Sequence, residues 1–77
     1  GREEARMSIE VTFSWWERAK DKPESKWEPC VVRRKVRARN TRAAQSREIN
    51  RRFAALLRRR LKAGMESESL AAFYPLG

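Results

Sequence analysis

From Ser8 to Trp15 apolar and polar side chains alternate without a break, Ile9, Val11, Phe13 and Trp15 against Ser8, Glu10, Thr12 and Ser14. A period of two built from β-branched and aromatic residues predicts a strand with one buried face, over about residues 8–16. A competing signal overlaps its end. Ser14-Trp15-Trp16-Glu17 has the form of a capping box, which is able to open a short helical turn. Two prolines within residues 21–29 (DKPESKWEP) then mark a linker, and Trp27 inside it is a candidate cap for the core.

Alternation resumes at Cys30. Cys30, Val32, Val36 and Ala38 point one way, with Arg34 interrupting, while Val31, Arg33, Lys35, Arg37 and Arg39 point the other. The pattern predicts a second strand over about residues 30–38. Its polar face would be a ladder of cations about 7 Å apart, twice the strand rise.

The period changes after Asn40. Ile49, Phe53, Leu56, Leu57 and Leu61 recur at helical spacing, Asn40 or Thr41 is a suitable N-cap, and Gly64 stands where a helix-ending glycine is expected. A helix over about residues 41–63 would be about 34 Å long. At about 100° per residue the apolar side chains fall on one side of it and Arg47, Arg51, Arg52, Arg58, Arg59 and Lys62 on the other. Arg42 and Arg60 break the segregation by projecting on the apolar side. Either their stems lie along apolar surface with the charge in water, or an acid on a packing partner meets them.

The remaining segments carry weaker signals. Residues 1–7 are polar and expected to be flexible. In the tail, residues 65–77, Ser67 is able to cap a short helical turn presenting Leu70, Phe73 and Tyr74, which Pro75 would end. The expected architecture is therefore α+β, a two-stranded antiparallel hairpin packed on one long basic amphipathic helix, as a single ββα-like domain over residues 8–64 with flexible termini.

Charge sharpens this picture. The formal net charge is +9 over 77 residues, yet between Arg33 and Lys62 Glu48 is the sole acid. Like-charge neighbours on one helix cost a few tenths of a kcal/mol per pair, so stability alone would not select such a surface. Contiguous basic blocks most often meet nucleic acid. Arginine, which grips phosphate with a planar fork and stacks on bases, also outnumbers lysine. The expected function is non-enzymatic nucleic-acid binding, RNA favoured over DNA. Arg33, Lys35, Arg37 and Arg39 of the strand and Arg47, Arg51, Arg52, Arg58, Arg59 and Lys62 of the helix would hold phosphates. Trp16, out of phase with the apolar face of its strand, is the aromatic best placed to stack on a base.

The alternative is an assembly module of a larger ribonucleoprotein or viral protein. Ile49, Phe53, Leu56, Leu57 and Leu61 form a face that is large for one hairpin to cover, and it could pair with a second copy or a partner protein. A membrane surface fits less well, because Phe53 is the sole aromatic on that face. Histidine is absent, Cys30 is the sole cysteine, and the acids are scattered, mostly singly, along the chain. No catalytic, metal or cofactor site is expected. No apolar run approaches the roughly 20 residues of a membrane span and no secretion signal is evident. The expected location is intracellular, in cytoplasm, nucleus or viral particle.

Overall fold

The computed structural model describes residues 6–75. Four elements follow one another: β1 (Arg6–Ala19), β2 (Glu28–Arg39), α1 (Arg42–Lys62) and β3 (Met65–Phe73). The strands form one antiparallel sheet in the order β2-β1-β3. The fold is α+β, with three strands where the sequence pattern predicts two.

β1 is the central strand. Its buried face carries Ile9, Val11, Phe13 and Trp15, as the alternation requires. The strand does not stop at residue 16, however, and no helical turn opens at Ser14. The ladder with β2 runs from Arg6 opposite Arg39 to Glu17 opposite Glu28. Glu17 continues the buried face because its carboxylate is hydrogen-bonded there, which removes the reason for the strand to end. Of the N-terminal segment expected to be flexible, residues 1–5 lie outside the described residues, and Arg6 and Met7 open β1.

The C-terminal tail is the larger correction. It makes no helical turn over residues 67–74; Met65–Phe73 pairs with β1 from Ala19 back to Thr12. With β2 on one edge only, the other edge of β1 would present a row of unpaired backbone groups, and β3 satisfies them. A bulge between Ser14 and Trp16 sets Ser69 and Leu70 of β3 against Trp15 alone, one extra residue in β3, and Ser69 there has φ 55. β2 and β3, both antiparallel to β1, run parallel to each other on opposite edges. The chain must therefore cross the sheet between them, and α1 makes that crossing.

The helix is bounded by its own sequence. Thr41 is the N-cap, and its Oγ1 accepts from the Ala44 amide at 3.2 Å. Gly64 follows the last turn with φ +92, and its carbonyl accepts from the Lys20 amide at 2.8 Å, tying the helix end to the end of β1. Ile49 and Phe53 join Val36 and Ala38 of β2 and the β1 side chains in the core. The Phe53 ring lies 4.6 Å from Phe13 and 6.1 Å from Trp15, centroid to centroid, within the range of favourable aromatic pairs. Among the described residues no helix is long and apolar enough to cross a membrane.

Candidate functional site

The sheet has two faces and α1 covers one, so the cations of β2 are divided between them by strand alternation. Arg34 stands opposite Val11 and therefore on the helix side; Arg33, Lys35 and Arg37 stand opposite Thr12, Glu10 and Ser8 on the open side. β2 is an edge strand, so both sets border the same rim of the molecule.

At the end of β2 nearest the start of α1, Arg37 and Arg39 meet Arg47, Arg51 and Arg52 around a recess of about 500 Å³. Arg6 of β1 joins them, and Ala38 and Ala44 form part of the lining. Further along the same seam, Arg34, Arg52 and Arg59 border a smaller cleft with Phe13, Val36, Ala55 and Leu56. The two recesses share Arg52 and follow one another as an arginine-lined channel along the rim where the β2 edge meets α1, with Arg37 and Arg39 reaching the first from the open side.

Among the described residues Glu48 is the acid that lines this channel. Arg51 donates to its two carboxylate oxygens at 3.2 and 2.6 Å, and Arg52 Nε donates to Oε2 at 3.0 Å. These hydrogen bonds, Arg51 first and Arg52 second, hold its carboxyl down to about 2 despite some opposing desolvation. Glu48 thus stays charged and fixes two guanidiniums at the channel wall. Among the described residues that line the recess, Glu48 is the acid beside Arg6, Arg37, Arg47, Arg51 and Arg52, so the described lining is predominantly cationic.

Of the ten cations singled out from the sequence, Arg37, Arg39, Arg47, Arg51, Arg52 and Arg59 line this channel. Arg33 borders a separate recess with Glu10, Thr12, Phe73, Tyr74 and Pro75, and Lys35 faces Glu10 across the sheet. Arg58 and Lys62 are exposed and line neither part of the channel. Sequence reasoning missed Arg6 and Arg34. Arg6 lies in a stretch without periodicity. Arg34 was visible as the break in the apolar face of β2, which a cation tolerates because this is an edge strand beside a cleft.

The two arginines that broke the helix pattern have different fates. Arg60 reaches Glu17, donating from Nε to Oε1 at 3.1 Å and from Nη2 to Oε2 at 2.8 Å. The partner acid is thus within the chain itself, on β1. Arg42 is the first residue of α1 and is exposed. The apolar face of α1 is consumed unevenly. Ile49 and Phe53 are buried, Leu56 and Leu57 are partly buried against the core, and Leu61 is 52% exposed. Trp16 is 43% exposed on the open side of the sheet. Trp27 does not cap the core; the Arg18 guanidinium stacks over its ring at 4.2 Å.

Cys30, opposite Trp15 in the ladder, has its thiol pushed up by burial and by the nearby Glu17 charge, the reverse of what an activated nucleophile needs. No protein-family model, no curated protein and no solved structure matches this chain.

Proposed function

We propose that this chain is a non-enzymatic nucleic-acid-binding domain that holds phosphates in the channel between β2 and α1, with RNA preferred to DNA. The observation that carries the reading is the convergence of Arg6, Arg37, Arg39, Arg47, Arg51 and Arg52 on one recess, with Glu48 as the acid among its described lining residues. Guanidiniums gathered this closely repel one another, whereas a polyanion held along the channel would be attracted by all of them. The basic amphipathic helix contributes Arg58 and Lys62 as an outer rail for flanking phosphates. The preference for RNA rests on residue type, since arginine combines bidentate phosphate contacts with stacking on unpaired bases.

The assembly reading has less support. Ile49 and Phe53, the centre of the face it would use, are buried in the chain's own core.

A gel-shift series with single-stranded RNA, duplex RNA and duplex DNA tests the proposal. Engagement of about six phosphates gives a log–log salt slope of about −4 to −5. Binding without salt dependence, or no binding to any of the three, would remove the phosphate channel.

A further inference from the structure

The sheet face turned away from α1 is not a uniform polar surface. Trp16 of the central strand is 43% exposed, Phe73 of β3 is 61% exposed, and Val31 of β2 is also exposed. They belong to adjacent rows of one face. Val31, Ser14 and Ala71 form one row, Trp16 lies between Pro29 and Glu68 in the next, and Phe73 pairs with Thr12, which pairs with Arg33. Large apolar side chains held in water by a rigid sheet, among polar neighbours, mark an interaction surface.

Charge decides what the surface fits. Along β2 the open face carries Arg33, Lys35 and Arg37 in succession. The acids lie elsewhere on the face or are already opposed. Glu66 is ion-paired with Arg18 at 2.7 Å, Glu10 stands opposite Lys35, and Glu68 lies on the β3 side of Trp16. The face is thus aromatic in the middle and on the β3 side, and cationic along the β2 edge.

We propose that this open face binds the unpaired bases of a single-stranded nucleic acid, with Trp16 and Phe73 as stacking platforms and Arg33, Lys35 and Arg37 holding the adjoining phosphates. The inference rests on the nucleic-acid reading above and narrows its ligand to a strand with free bases. Trp16 lies four positions beyond Thr12, the partner of Phe73, a distance along β1 of roughly 13 Å at the usual strand rise. One base cannot bridge that gap, so each ring takes its own. Because Arg34 and Arg37 stand at the same rim, the backbone is able to pass around the β2 edge from the open face into the arginine channel. A duplex, whose bases are stacked and paired internally, has nothing to offer the two rings.

Fluorescence anisotropy of a short labelled single-stranded RNA and of the matching duplex, with the full chain, tests this. The expected result for Trp16→Ala/Phe73→Ala is a loss of single-strand affinity of roughly tenfold or more with duplex affinity nearly unchanged. Trp16→Phe/Phe73→Tyr, which keeps both ring faces, should retain most of the single-strand affinity and controls for damage to the sheet. Arg47→Ala/Arg51→Ala/Arg52→Ala should weaken both ligands. If the alanine pair leaves single-strand binding intact while the arginine triple abolishes it, the stacking face is overturned and the phosphate channel stands. If the native chain binds neither ligand, both fall together. A dimer that the alanine pair converts to monomer, with unchanged single-strand affinity, would assign the face to a second copy and overturn the proposal.

Discussion

The guanidinium of Arg60 holds the carboxylate of Glu17 through two hydrogen bonds, at 3.1 and 2.8 Å, linking the last turns of α1 to the far end of β1. Trp15 Nε1 adds a third donor at 3.0 Å. The Glu17 side chain is only 8% exposed, whereas that of Arg60 is 39% exposed. The two ends of the pair are therefore not equivalent. Arg60→Ala strands a buried carboxylate and should destabilise the fold by about 2–3 kcal/mol, less than the loss for a fully buried pair because Arg60 reaches solvent. Glu17→Gln keeps an acceptor for Trp15 and frees a cation that water can solvate, so it should cost less. Urea denaturation of the two variants and the double variant measures the order; equal losses would contradict it.

The same carboxylate sets a pH dependence. The hydrogen bond from Arg60, then that from Trp15, hold the Glu17 carboxyl below its ordinary value of 4.5 against the opposing effect of burial. The folded-state value lies below the unfolded one, so the stabilisation is complete above about pH 4.5 and is lost as pH falls through the folded value. Glu48, held down to about 2, acts in the same direction over the same acid range, weakened by the solvent exposure of Arg51 and Arg52. Stability followed by far-ultraviolet circular dichroism should be level near neutrality and decline below about pH 4.5. In Glu17→Gln that decline should be shallower.

Arg47, Arg51 and Arg52 stand together at the mouth of the channel. Replacing all three with alanine should reduce the magnitude of the salt slope by about 2–3 while weakening binding similarly across sequences. A change confined to one sequence would point to base readout instead.

Two backbone positions isolate conformational strain from packing. A Cβ added to Gly64 meets nothing within 4 Å, yet its φ is +92. Gly64→Ala should therefore cost about 1 kcal/mol through the backbone alone. Ser69 already occupies the left-handed region at φ 55. A β-branched replacement, Ser69→Val, should cost about 1–2 kcal/mol, and Ser69→Gly should be tolerated. Thermal midpoints of the three variants distinguish these effects.

Phe53 bridges the helix to Phe13 and Trp15. Phe53→Ala should remove about 3–5 kcal/mol, comparable with the whole stability of a domain this small. Loss of cooperative unfolding is the expected readout, and a native-like transition would contradict the core described above.

Much of this molecule is written in short-range patterns. The alternation of Ile9, Val11, Phe13 and Trp15 sets the buried face of β1 because neighbouring side chains on a strand must point to opposite sides. Thr41 and Gly64 bound α1 because each satisfies a local backbone requirement, and the density of arginine from Arg33 to Lys62 is present before any folding. What remained hidden depends on partners distant in sequence. Met65–Phe73 is rich in alanine and glutamate and carries no β-branched residue; it becomes a strand because the free edge of β1 lies beside it after the helix has crossed the sheet. Glu17 extends β1 only because Arg60, forty-three positions away, arrives to neutralise it. The tertiary structure also decided which cations act together. Strand alternation sends Arg33, Lys35 and Arg37 to one face and Arg34 to the other, and only the packing of α1 against β2 turns a linear run of charge into a channel.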